Sequence, residues 1–358
     1  MTDVDRDTEA GDLVDDFFDY ALERGWGDGL PLVPPTRKRI DRMLEAAGLS
    51  GSDEIGTVAP YYGVATYENV AANAVMAGCN AAAFPVVCAA LRAMMEEPFN
   101  LYGIQGTTSP ATPVVIVNGP IRTEAGFHSG QGAFGPGWRA NATVGRAVRL
   151  AMWNIGGGRP QVLGEALGVP GFDMATQGYP GKYGSCVAEN EEESPWEPLH
   201  VERGFKGSDS AVTVIAADSS HDFRDVASTS SEDTLVCIAR TMGMWGTANM
   251  LYGAEPAFVI GPEQAAKLHA EGWSKQDVKE FLFENARIDM RTLPQDTQDY
   301  VRIRRPKWFD MAFLPVCDSP EDLVILVVGG PGIHGVFLST FSGARSVTVP
   351  LYPQTSPT

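Results

Sequence analysis

Three apolar, β-branched runs, at residues 114–118, 258–260 and 323–328, each stop at or just before a Gly-Pro step. Short runs of this kind, bounded by turn residues, read as buried strands. Helical patterns follow the first two, at about residues 141–155 and 263–270. A further strand over residues 212–217 precedes a helix near 233–242. Alternation of strand and helix predicts an α/β fold, a mixed or parallel sheet covered by helices on both faces. Gly126-Phe127-His128-Ser129-Gly130 after the first Gly-Pro is echoed by Gly332-Ile333-His334-Gly335 after the last, which allows a pseudo-repeat.

Ahead of the strands, residues 12–24 place Leu13, Phe17, Tyr20 and Ala21 on one helical face, and Gly25 ends that helix. Pro34-Pro35 and a capping Thr36 introduce a second helix running to Ala47 before Gly48. Residues 1–50 thus read as an N-terminal helical arm. A short strand at 55–59 and two Ala-rich helices follow, one capped by Thr66 and ending at Ala77, the other opened by Pro85 and ending at Met95. Their small side chains predict close packing against the sheet or a second subunit. A composition shift near residues 156–170 suggests a first α/β half at 51–160, with the Gly-rich loop, and a second at 161–358. One intertwined domain fits equally well.

The 45 acidic against 27 basic residues give a net charge of -18, which repels nucleic acid and anionic lipid. No run of about 20 apolar residues is present, and the acidic start is unlike an export signal, so a cytoplasmic protein without membrane contact is expected. Cys79, Cys88, Cys186, Cys237 and Cys317 lack CxxC spacing and read as free thiols. A homo-oligomer is the default expectation.

Candidate chemistry centres on the loop at residues 126–137, which leads through Trp138 and Arg139 into a helix that Asn141 can cap. Its backbone N–H groups, Gly130 and Gly132 among them, could meet a small anion held by Arg139 and Arg146, with Asn118 and Asn141 as hydrogen-bonding partners. Gly130-x-Gly132-x-x-Gly135 matches the dinucleotide fingerprint in form, but no acidic residue stands at the required distance. Cys186 is the candidate nucleophile, with His128 or His334 as acid and base. Glu189, Glu197 and His200 form a sparse set for a divalent metal. The sequence assigns no cofactor.

The words Gly27-Asp28-Gly29-Leu30-Pro31-Leu32-Val33-Pro34-Pro35-Thr36, Asn73 to Cys79 and Asn118-Gly119-Pro120-Ile121-Arg122, together with Asn141 to Arg146 and Glu189 to Glu192, resemble a bacterial family found beside or fused to UGSC-type thiol or selenol proteins. These words span most of the first 200 residues. The resemblance implies a thiol-related context and transfers no reaction. Three readings follow: an enzyme of hydrolase or lyase type that binds a small anionic substrate and uses a cysteine nucleophile, a metal-dependent hydrolase using residues 189–200, or a non-catalytic subunit docking a separately encoded partner.

Overall fold

The computed structural model describes residues 9–352, with side chains described from Asp15 onward. The first eight residues of the expected arm, and the Leu13 side chain on its helical face, lie outside the described residues. Two helices stand in this region, Glu9–Glu23 and Arg37–Ala47. Gly48 ends the second in the left-handed conformation as expected, whereas the Thr36 side chain makes no cap hydrogen bond.

Eleven strands are described: β1 Glu54–Val58, β2 Gly63–Thr66, β3 Thr112–Asn118, β4 Ser185–Ala188, β5 Ala211–Arg224, β6 Ala257–Ile260, β7 Arg287–Asp289, β8 Phe313–Pro315, β9 Val324–Val327, β10 His334–Thr340 and β11 Val347–Pro350. β1 with β2 and β7 with β8 are separate two-stranded pairs. The other seven form one mixed sheet in the order β4-β3-β5-β10-β6-β9, with β11 also on β5. β3 runs parallel to β4 and β6 parallel to β9, while every other pairing is antiparallel.

β5 ties the sheet together. Its first half pairs with β3 and β11, and its second half with β10. The register skips Asp218 between Ala217 and Ser219, an inserted residue that reverses which face the following side chains take. Ile215 therefore packs inward whereas Phe223 faces the helices. The sheet also curls. β4 and β9 stand at opposite ends of the strand order, yet the Asn190 N–H just beyond β4 donates to Val327 O of β9 at 2.8 Å.

Curling gives the sheet two buried faces. On the inner face, Val114, Ile116, Val187, Ile215, Val259, Leu326 and Leu338 meet, with Leu199 and Ala133 added from loops. The outer face carries two clusters, Val115, Val117, Cys186 and Val214 against the first helices and Phe258, Ile325, Val327 and Phe337 against the later ones. Burial of each large aliphatic contributes on the order of 1.5–3 kcal/mol, so this alternation fixes the register.

The Ala-rich helices form as read from the sequence. Thr66 and Asn69 make a reciprocal capping box for Tyr67–Ala77, and Pro85 occupies the first turn of Phe84–Met95. Both are almost wholly buried within the chain, so they serve its own core. Helix Arg139–Asn154 crosses β4 more closely than side chains would permit. A Cβ on Gly145 would lie 2.4 Å from Ser185 N, and one on Gly184, where φ is +134°, would lie 2.3 Å from Arg146 N. The obstacles are backbone atoms, which cannot swing aside. Gly145→Ala is expected to lower stability by about 1–3 kcal/mol in urea unfolding, and an unchanged midpoint would show that this crossing carries no packing constraint.

Candidate functional site

Helix Arg139–Asn154 turns Arg139, Arg146, Arg149 and Trp153 toward one side, because positions seven, ten and fourteen residues on lie within about one quadrant of the first. Residues 28–31 cover the middle of that face. Arg146 donates to both carboxylate oxygens of Asp28 at 2.7 and 2.8 Å and to the carbonyls of Leu30 and Pro31. It is an internal clasp between the Gly27-Asp28-Gly29 turn and the helix, and its donors are consumed.

One turn further along, Arg149 meets two segments positioned by the glycine crossing. Its Nη2 lies 2.7 Å from Asp173 Oδ2, and Lys182 Nζ lies 2.6 and 2.8 Å from the two oxygens of the same carboxylate. Arg149 and Asp173 side chains are each only 6% exposed, Lys182 13%. Lys182 belongs to the turn Pro180–Tyr183 immediately before Gly184. Asp173 is held by a bridge to Pro160 and by the Ala175 N–H on its carboxylate.

These groups line a cavity of about 320 Å³ together with Asp28, Trp153, Pro160, Gln177 and Tyr183. The indole N–H of Trp153 is buried without a partner. Burial, followed by the neighbouring Arg149 guanidinium, lowers the proton affinity of Lys182 even though Asp173 opposes the shift. Burial pushes Asp173 the other way, but Arg149 and Lys182 outweigh it and hold the carboxyl below its ordinary value. A larger hollow of about 590 Å³ lies among Met290, Arg302 and Ala312, but exposed apolar residues such as Ile303 and Phe309 wall it, with no buried charge cluster.

The sheet also brings the two glycine turns together, since Gly329 N–H donates to Ser129 O at 2.7 Å and a Cβ on Gly330 would touch Gln131. Of the expected donors, Asn118 is taken by the chain's own carboxylates, as are several neighbouring groups. Glu191 accepts from Gly119 N–H and Asn118, Glu263 accepts from Gly332 N–H, and Glu192 takes a two-point ion pair from Arg122. Asn118 also donates to Glu189, whose proton affinity burial raises.

Asn141 accepts the His128 N–H and donates to the carbonyls of His128 and Ala133, so it fastens the loop carrying Gly130 and Gly132 rather than facing a ligand. The His128 ring stacks on Trp138 at 3.8 Å and bonds Gln131 O. His334 opens β10 and is not in a turn, its Nδ1 3.1 Å from the exposed carboxylate of Asp222.

Cys186 lies in the core cluster on the outer face of the sheet, 5% exposed, and burial followed by the neighbouring Cys79 thiol pushes it well above the ordinary thiol range. Burial likewise pushes Cys79 up to about 12. Neither favours a thiolate. Glu189 and His200 are buried near each other around Glu191, with both His200 ring nitrogens unpartnered, but Glu197 lines a different hollow with Lys275 and Glu202. Among the described residues no group of three or more His, Cys, Asp or Glu side chains is gathered for a metal ion.

Lys182, Asp173, Arg149 and Asp28 were not singled out in the sequence. Available signals were that Lys182 is one of only seven lysines and that Arg149 shares a helical face with Arg146. No helix among the described residues is long and apolar enough to cross a membrane. No protein-family model matches the chain, and no curated protein matches it either.

Asp173→Asn leaves two buried cations without a counterion and is expected to cost about 3–5 kcal/mol at neutral pH. Because the Asp173 proton affinity is depressed in the fold, its contribution is present above the ordinary carboxyl value of 3.8 and vanishes as pH falls through the lower folded value. Urea titrations at neutral and acid pH should therefore show the gap between wild type and variant closing on acidification. A gap that stays constant would contradict the ion triad.

Proposed function

We propose that the protein is an enzyme of hydrolase or lyase type that holds a small carboxylate substrate in the Lys182 cavity. One observation carries this reading: a lysine of lowered proton affinity shares a buried carboxylate with an arginine at the wall of an open cavity. Perturbed titratable groups converging in a cleft mark functional sites.

Charge sets the substrate class. Asp28 is matched by Arg146, and Asp173 is shared between Arg149 and Lys182, which leaves one positive charge in excess. A single carboxylate balances it. Lys182 is the proton-transfer group in this proposal. It gives or takes the proton that either reaction class moves, with Asp173 fixing the ammonium and Arg149 keeping its proton labile. In this proposal Lys182 takes the place of Cys186, whose buried thiol stays protonated, and of His128 and His334, which do not line this cavity.

Trinitrobenzenesulfonate, itself a small anion that attacks neutral amines, tests the assignment when modified lysines are mapped by mass spectrometry near neutral pH. Lys182 is expected to be labelled, and Lys279, whose proton affinity burial also lowers beside Glu202 and Lys275 in a separate hollow, serves as the internal comparison that malonate should leave unaffected. Malonate is expected to protect Lys182. Lys182 left unmodified while other lysines react, or labelled at a rate malonate does not change, would overturn the reading.

A further inference from the structure

Arg139 does not reach the Lys182 cavity. It begins the helix on which Arg149 stands ten residues later, about 15 Å away along the axis. There it lines a separate hollow of about 240 Å³ with Arg39, Arg42, Met43, Gly78, Cys79 and Asn80. We propose that this hollow is a binding site for a phosphate group, distinct from the substrate cavity and independent of the reading given for it.

Three guanidinium groups from two elements line the hollow. Arg39 and Arg42 come from helix Arg37–Ala47, and Arg139 comes from the first turn of Arg139–Asn154. In a chain of net charge -18, none of the three forms an ion pair among the described residues. The contrast is local, since neighbouring Arg37 pairs with both Asp41 and Glu68 on the same helix. Like charges gathered in one hollow repel, and an oxyanion relieves that cost.

Arg139 is also pre-positioned. Its Nε donates to Gly78 O at 2.9 Å and its Nη2 to Cys79 O at 3.3 Å, both at the end of helix Tyr67–Ala77, which leaves Nη1 without a partner among the described residues. Arg39 is steadied by the carbonyl of Pro34, and Arg42 makes no hydrogen bond among the described residues. Cys79 adds no competing charge, because burial keeps its thiol protonated. Asn80 is held in place by donating to Ala125 O and accepting from Ala83 N–H, and it brings no charge to the hollow. Three positive charges favour a dianion over a carboxylate, and guanidinium forks match the tetrahedral oxygens of phosphate.

Isothermal titration calorimetry on the full chain at physiological chloride tests the site, with inorganic phosphate, glycerol 3-phosphate and acetate as probes. Phosphate is expected to bind at one site, and any acetate binding, which belongs to the Lys182 cavity, to be unchanged by substitution of Arg39 or Arg42. Arg39→Gln and Arg42→Gln, both at exposed positions, should each weaken phosphate binding about tenfold, equivalent to about 1.4 kcal/mol. Lys182→Met should bind phosphate as wild type does. Tighter binding of glycerol 3-phosphate identifies an esterified phosphate as the ligand, and weaker binding identifies the free ion.

No binding of either phosphate probe at millimolar concentration would overturn the proposal, as would phosphate affinity that neither arginine variant changes. Binding removed by Lys182→Met but kept by both arginine variants would also overturn it, by moving the anion into the substrate cavity. Failure of lysine labelling, with phosphate binding still dependent on Arg39 and Arg42, would defeat only the catalytic reading.

Discussion

The interlocked glycines Gly145 and Gly184 set the distance on which the candidate site depends. With no Cβ on either residue, helix Arg139–Asn154 lies directly on the backbone entering β4, and each glycine occupies the space the other's side chain would need. Lys182 stands two residues before one member of this crossing, and Arg149 stands one helical turn after the other. The crossing therefore brings a lysine and an arginine to the same carboxylate, at a depth where an unpaired charge is costly. A wider separation would admit water and let Lys182 behave as a surface amine.

The distribution of charge follows the same economy. At the strand ends, where glycine turns meet around Ser129 and Gly329, the chain's own carboxylates occupy the backbone donors. Along the outward helix face, cations gather instead: Arg146 is clasped by Asp28, Arg149 and Lys182 share Asp173, and Arg139 stands with Arg39 and Arg42. Cations outnumber local carboxylates at both of these hollows, and residues 28, 39 and 42 line them from one side.

Much of the fold was legible because hydrophobic periodicity is a local signal. The strands at β3, β6 and β9, the capped Ala-rich helices and the helix after the glycine loop follow from runs, caps and Gly-Pro steps within a few residues of each element. The mixed sheet belongs to the expected class, but its curl is not written locally, since it depends on Asn190 reaching Val327 across 137 positions of sequence. The length of β5 was hidden for a similar reason: its second half, Ser219 to Phe223, is polar and follows an inserted residue that breaks the alternation.

The site was legible only in part. The meeting of two glycine turns could be read from composition and spacing, whereas Arg139 lines a hollow apart from them. Asn118, Asn141 and Arg146 turned out to satisfy internal partners, a role set by tertiary neighbours far away in sequence. Lys182 and Asp173 gave no motif because their chemistry arises from burial and from Arg149, neither of which the local sequence encodes. The most direct test of that claim is a side-chain NMR titration of the lysine amines in the intact protein. Lys182 Nζ is expected to titrate below the ordinary lysine value of 10.5, and titration at or above that value would contradict the account.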